Sequence, residues 1–172
     1  NSQGQPFNCT SYQTDIIKAI LSREHEKILI NAATQVGKSS IISIAANLIS
    51  VLFPSRRIAV VSATWPQAQI IFSQTKQHFL YDNPLLTKKL DLKSEFTNQT
   101  ITVNFDDKTK NYIQCFTVGG ASKGENVLGF NATDLIVDET GSIEDEIYYT
   151  KVLRMIAAGR TDRYLIESGT PH

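Results

Sequence analysis

Four short and nearly continuous apolar runs divide this chain: Lys27–Asn31 (KILIN), Arg57–Ala63 (RIAVVSA), Asp134–Val137 (DLIV) and Arg163–Glu167 (RYLIE). A strand that is apolar at successive rather than alternate positions has both faces buried, as in a parallel sheet covered by helices on each side. Helix-length segments stand between the first runs. Tyr12–Leu21 carries Tyr12, Ile16, Ile17 and Ile20 at helical spacing, Ser39–Leu52 is ended by Pro54, and Trp65–Leu80 has Pro66 in its first turn. This alternation predicts an α/β fold, a three-layer domain around a mostly parallel central sheet. Thr100–Phe105 and Asn111–Thr117 instead alternate with period two about the turn-forming Asp106–Lys110, which predicts an inserted β-hairpin. Gly119–Gly129 reads as a glycine-containing loop.

Length and composition narrow the classes. The 172 residues suit one domain. At 41% hydrophobic and 20% charged residues, the chain lies outside the disordered class. Lys plus Arg is 17 and Asp plus Glu is 17, so bulk charge argues for neither a nucleic acid nor a membrane partner. Two cysteines exclude a disulfide scaffold and a cysteine zinc cluster. His25, His78 and His172 have no metal-ligand spacing. The richest apolar run, Ile41–Phe53, is interrupted by Ser43, Asn47 and Ser50 and falls short of a membrane span. Asn1–Pro6 is polar, lacks methionine and is no signal peptide, and the terminal Gly169-Thr170-Pro171-His172 directly follows a strand pattern. Both ends are therefore expected to be cut points in a longer protein.

The stretch Ala32-Ala33-Thr34-Gln35-Val36-Gly37-Lys38-Ser39 follows a strand and opens a helix. That is the context in which a loop's backbone N–H groups curl around phosphate oxygens, aided by the helix N-terminus. Gly37 permits close backbone approach at positive φ, Lys38 supplies a point charge to β and γ phosphates, and the Ser39 hydroxyl ligates magnesium. Ala32 stands where the strict motif has its first glycine, which is tolerable if that position keeps a negative φ. Ala33, Thr34, Gln35, Val36, Gly37, Lys38, Ser39 and Ser40 form the expected triphosphate-binding set. The strand Asp134–Val137 runs into Asp138 and Glu139. Ligands of parallel sheets bind at the carboxyl ends of strands. Asp138 is thus a magnesium ligand candidate, and Glu139 a candidate to orient and deprotonate an attacking water. Loop and acids together predict nucleotide hydrolysis, with Lys38 and Glu139 catalytic and Ser39 and Asp138 at the metal.

With these motifs the chain resembles the ATPase domain of viral large terminase subunits, which package double-stranded DNA into a procapsid. The resemblance implies ATP and Mg2+ as cofactors and adds four segments. Pro6-Phe7 and Tyr12-Gln13 resemble the adenine-binding segment. Arg57–Phe72 resembles the strand-loop-helix that follows, its Ala63-Thr64 loop facing nucleotide or DNA. Ala121-Ser122-Lys123-Gly124 resembles the loop whose arginine reaches a neighbouring subunit's γ-phosphate; Lys123 stands here, with Arg154, Arg160 and Arg163 as alternatives. Ser168-Gly169-Thr170-Pro171 resembles the motif coupling phosphate state to DNA movement. Thr34 stands where many terminases carry an arginine. The resemblance also implies that the last strand lies between the loop strand and the acidic strand. It implies double-stranded DNA, a portal protein and a small terminase subunit as partners. A homo-oligomeric ring when active, a monomer in isolation, no membrane association and a host-cell cytoplasmic location follow from it too. Residues 1–172 would be one ATPase domain, without the family's nuclease domain. A helicase-like nucleic-acid-dependent ATPase and a non-hydrolysing nucleotide switch are the competing readings. Lys88, Lys89 and Lys93, and Arg56-Arg57, are small basic clusters that suit either a solvated face or a DNA backbone, and Trp65 is read as a packing residue.

Overall fold

The computed structural model describes residues 8–33, 35–90, 99–120, 123–157 and 162–170. Pro6, Phe7, Thr34, Lys93, Ala121, Ser122, Arg160, Pro171 and His172, singled out above, lie outside the described residues. Six strands form one sheet: β1 (Lys27–Asn31), β2 (Arg57–Ser62), β3 (Thr100–Asn104), β4 (Lys110–Thr117), β5 (Asp134–Asp138) and β6 (Tyr164–Gly169). Their spatial order is β1-β6-β5-β2-β4-β3, and every neighbouring pair is parallel except β3 with β4. β6 therefore inserts between the loop strand and the acidic strand, as the resemblance implied. The hairpin extends the main sheet: β4 lies parallel to β2, and β3 is the antiparallel edge.

Three of the four continuous apolar runs are explained by two cores, one on each face; β1, expected to be buried, is instead the sheet's edge, with Ile30 in one core and Leu29 66% exposed on the other face. Ile58, Val60, Ile136 and Ile166 point to one side, where they meet Ile20 of α1 (Ser11–Ser22), Ile42, Ala45, Ala46 and Ile49 of α2 (Lys38–Leu52), and Ile71 of α3 (Trp65–Gln77). The intervening Ala59, Val61, Leu135, Val137 and Leu165 point to the other side. There they meet Ile143, Ile147, Tyr148, Val152 and Met155, from the segment containing α5 (Asp145–Ile147), a π-helical turn (Tyr148–Val152) and α6 (Arg154–Ala157). That covering segment gave no clear helical pattern in the sequence, because it is built from short turns rather than one periodic helix. α3 likewise ends earlier than its sequence pattern suggests, passing into a π-helical turn at His78–Asp82 and then α4 (Pro84–Thr87).

The N-terminal ends of the strands are closed by a charge cluster. Asp134, fully buried, lies 2.5 Å from Arg23 Nη1 and accepts a 2.8 Å hydrogen bond from Thr133 Oγ1. The Arg23 guanidinium sits over the Phe53 and Tyr164 rings at 4.5 and 4.3 Å. Arg56 joins the cluster, 2.7 Å from Asp162 and 3.9 Å from Asp134, and Arg57 lies over the Phe130 ring at 4.7 Å. Arg56 is thus tied into the fold at the end of the sheet opposite the loop after β1, while Arg57 beside it is exposed. Lys89 lies 3.9 Å from Asp106 beside the hairpin turn. Among the described residues no helix is long and apolar enough to cross a membrane.

Removing one partner from a buried ion pair strands the other charge, at about 3–5 kcal/mol. Asp134→Ala is therefore expected to destabilise the fold by about that amount, measured by urea unfolding, because Arg23 would remain buried between its two rings.

Candidate nucleotide site

The site lies at the carboxyl ends of β1, β6 and β5, under the first turn of α2. The chain leaves β1 through Ala32, whose N–H donates to Gly169 O of β6 at 3.3 Å. Ala32 is not among the positive-φ residues, so the missing glycine is sterically tolerated. The left-handed positions are Gln35 (φ 62°) and Gly37 (φ 86°), and Gly37 caps α2. The torsion favours glycine here; a Cβ would also meet Gln13 Nε2 at 2.9 Å, which that flexible amide could relieve by shifting.

α1 braces the loop from behind. Thr10 and Gln13 form a capping box, with Thr10 N–H donating to Gln13 Oε1 at 3.0 Å. Gln13 Nε2 donates to Val36 O at 3.4 Å, and Tyr12 Oη donates to the same carbonyl. Both ends of the Gln13 amide are engaged by protein, so here it is a strut for the loop; a bidentate grip on adenine would require these bonds to be exchanged. Tyr12 keeps part of its ring exposed. Ala33 and Gln35 are exposed on the loop, and Val36, Ser39 and Ser40 are half-buried.

Lys38 is the centre of the arrangement. Its side chain is only 7% exposed. Nζ donates to Ala32 O at 2.8 Å, Ala33 O at 3.1 Å and Thr170 Oγ1 at 2.8 Å, and lies 3.2 Å from Glu139 Oε1. An ammonium has three hydrogens, so four acceptors saturate it. Thr170 Oγ1 in turn lies 2.9 and 3.2 Å from the two Glu139 carboxylate oxygens. The loop lysine, the second acid and the last residue described after β6 thus form one cluster. This convergence is what the sequence reading required of residues far apart in the chain.

Glu139 has a left-handed backbone (φ 50°, ψ 58°), uncommon for a residue with a side chain. The turn of Thr140–Ser142 holds it there, with Ser142 N–H donating to Glu139 O at 2.8 Å. Its side chain is 26% exposed, open toward solvent. Asp138, one residue earlier, is 3% exposed, and its Oδ1 accepts from Ser168 Oγ at 2.7 Å. Burial pushes the Asp138 carboxyl above its ordinary range, and the negative charge of Glu139 adds to this, while Ser168 and Lys38 act in the opposite direction. Ser168 is fully buried and spends its hydroxyl on Asp138. Of Ser168, Gly169 and Thr170, Thr170 is therefore the one whose hydroxyl meets Lys38 and Glu139. Gly169 contributes its carbonyl to the Ala32 bond.

The remaining candidates lie elsewhere. Lys123 is exposed, with φ 40°, and its carbonyl accepts from Lys151 Nζ at 2.6 Å. Arg163 is buried and bonded to Asn131 Oδ1 at 2.6 Å and Met155 O at 3.3 Å. It therefore cannot reach a neighbouring subunit without unpicking the fold, which removes it as an alternative to Lys123. Arg154 is exposed on α6. Trp65 is 43% exposed at the start of α3, so the packing role expected of it is only partial. His78 pairs with Asp82 at 2.9 Å. Buried Cys115, its thiol pushed up to about 12 by burial, is chemically quiet. Sequence reasoning missed the carbonyls of Ala32 and Ala33 as partners of Lys38, since backbone acceptors leave no residue-type signal.

A lysine on a helix N-terminus, reached from a strand through a left-handed loop and facing acids at the end of another parallel strand, defines a phosphate-loop α/β nucleotide-binding fold. The chain belongs to the family "Terminase large subunit, ATPase domain", whose profile matches residues 15–170. Solved structures agree on the fold. The HK97 bacteriophage large terminase superposes with a TM-score of 0.79 at 18% identity, over 98% of this chain and 34% of that one. The large terminase of a thermophilic bacteriophage gives 0.69 at 14% identity, covering 97% and 40%. The large terminase ATPase domain of Thermus phage P74-26 gives 0.71 at 16%, covering 96% and 66%. The chain thus spans about a third of the HK97 protein's length. Comparison with curated proteins gives no match.

A carboxyl whose folded-state pKa is raised gives full stability only below its unfolded value, and loses it as pH rises through the folded one. Asp138 therefore weakens the nucleotide-free fold at neutral pH. Asp138→Asn should raise the melting temperature at pH 7, with the gain shrinking as the pH falls toward 4.

Proposed function

We propose that this chain hydrolyses ATP and that hydrolysis drives double-stranded DNA into a viral procapsid, as the motor part of a large terminase subunit. The observation that carries the reading is the contact of Lys38 with both Glu139 and Thr170, at 3.2 and 2.8 Å, over the N-terminus of α2. Family membership supports it. So does the fold shared with the thermophilic bacteriophage terminase, which has been solved in complex with ADP and with ATP-gamma-S.

The residues divide the work as follows. The loop N–H groups of Gln35 to Ser39 receive the phosphates. Lys38 exchanges its protein acceptors for β and γ phosphate oxygens and neutralises charge that develops there. Glu139, released from Lys38, orients water and takes its proton. Thr170, hydrogen-bonded to Glu139 and Lys38 alike, registers whether Lys38 is on the phosphate. Magnesium fits the residues present. Asp138 offers a hard oxygen with Ser168 on its other oxygen, and Ser39 stands on the first turn of α2. Magnesium needs only one or two protein oxygens when nucleotide phosphates and water supply the rest of its ligands. Held by Asp138 and Ser39, it would supply positive charge that stabilises the charge developing on the phosphates.

Lys123 is exposed on the loop after β4, at the same carboxyl edge, and is assigned to complete a neighbouring subunit's site in a homo-oligomeric ring. A trans-acting arginine is worth 10³–10⁵ in rate in comparable enzymes, so a monomer in isolation should turn over slowly. Residues 1–172 are read as one ATPase domain. Double-stranded DNA, a portal protein and a small terminase subunit, met in the host-cell cytoplasm, are the partners this assignment entails.

Phosphate release and titration with a fluorescent ATP analogue test the chemistry. Glu139→Gln should keep nucleotide binding while turnover falls by about 10²–10⁴, the usual worth of a general base. Lys38→Ala should lose binding itself. Equal turnover in wild type and Glu139→Gln would remove Glu139 from the mechanism. For the motor role, the full-length subunit carrying Glu139→Gln should leave procapsids unfilled in a packaging assay.

A further inference from the structure

The α2-facing side of the sheet changes character at its last rung. Ile166, Ile136, Val60 and Cys115 stand side by side across β6, β5, β2 and β4. Two residues further along each strand, the same face presents Ser168, Asp138, Ser62 and Thr117. The first three of these are at most 3% exposed. Three adjacent buried polar side chains in the interior of a parallel sheet require hydrogen-bond partners.

Two have them. Ser168 Oγ donates to Asp138 Oδ1 at 2.7 Å and lies 3.4 Å from Glu139 N. Ser62, on the opposite flank of Asp138, is different. It is fully buried and in register with Asp138, and its Oγ has no hydrogen-bond partner among the described residues. An orphaned buried hydroxyl carries the full desolvation penalty of about 1–3 kcal/mol, which alanine would avoid. Such a group marks a place where something else supplies the missing partner.

We propose that Ser62 is a positioning residue for the magnesium end of the site, its hydroxyl hydrogen-bonding to a water in the hydration shell of the ion that Asp138 holds. This rests on the nucleotide-hydrolysis reading above. Magnesium keeps several of its waters when bound through one or two carboxylates and phosphates, and those waters need oriented partners. Ser168 occupies one side of Asp138, and Ser62 is the uncommitted hydroxyl on the other side. The two serines flank the carboxylate with opposite duties. Ser168 fixes the carboxylate itself, whereas Ser62 acts on the shell beyond it. Ser62 makes no contact with the reacting atoms and acts only through this water.

The test uses the chain loaded with ADP and titrated with Mn2+, read by electron paramagnetic resonance, so that no turnover is involved. Ser62→Ala should bind ADP in EDTA as wild type does, yet bind Mn2+ in the ADP-loaded state about 10-fold more weakly, the lower range for loss of an outer-shell partner. Ser62→Thr, which restores a hydroxyl, should recover most of that affinity, and Ser62→Cys should not. The nucleotide-free melting temperature of Ser62→Ala should equal or exceed that of wild type, since an unsatisfied group is gone. Unchanged Mn2+ affinity in Ser62→Ala, with Asp138→Asn losing it, would overturn the role of Ser62 and leave the hydrolysis reading intact. Wild-type chain that takes up no Mn2+ beyond that held by free ADP would overturn both.

Discussion

A buried ammonium with four acceptors organises this molecule's functional edge. Lys38 Nζ can be removed from water only because the carbonyls of Ala32 and Ala33, the hydroxyl of Thr170 and the carboxylate of Glu139 replace its hydration. Those acceptors come from the loop after β1, the segment after β6 and the end of β5. The spatial order β1-β6-β5 is therefore a condition for the site: were β6 elsewhere, Thr170 could not stand between lysine and acid. Without phosphate, Glu139 is held by the lysine. In the function proposed above, phosphate takes the place of the acid on the lysine and leaves Glu139 to act on water.

The two ends of the sheet do different jobs. At the amino ends of the strands, Asp134, Arg23 and Arg56, clasped by Phe53 and Tyr164, form a charge cluster that is closed to solvent and linked to the core. At the carboxyl ends, charged and hydroxyl groups are gathered at the first turn of α2, and some of their partners are exchangeable. Left-handed torsions occur at Gln35, Gly37 and Glu139 at this second end, as they do at Arg23 and Ser55 near the first. Strain of this kind, about 1–3 kcal/mol per non-glycine residue, persists where surrounding structure fixes it. Here α1, through Tyr12 and Gln13, fixes the loop, and the turn after β5 fixes Glu139.

Much of this was legible in the chain itself. The runs RIAVVSA, DLIV and RYLIE announce strands buried on both faces because each lacks a polar alternation, and two separate cores on either face of the sheet are the reason, whereas KILIN, which reads the same way, is an edge strand with Leu29 exposed. The segment between Thr140 and Ala157 was not legible as a helical layer. It is assembled from a 3-10 turn, short helices and a π-helical turn, which carry no single period. Arg56 and Arg163 looked like available cations in the sequence. The fold makes one a partner of Asp162 and Asp134 and the other a partner of Asn131, because a charge's availability depends on which distant carboxylate or amide packs beside it.

Sequence alone determined the local chemistry: a glycine-lysine-serine turn between strand and helix, and two acids at the end of an apolar strand. Residue identity and short-range spacing suffice for these, since torsional freedom, charge and helix capping act within a few residues. Only the tertiary structure decided which groups meet. That Lys38 rests on Glu139, that Thr170 lies between them while Ser168 turns inward to Asp138, and that Ser62 is left without a partner all follow from strand order and register. Those are set by long-range burial across the whole sheet, where a shift of one residue would send each of these side chains to the opposite face.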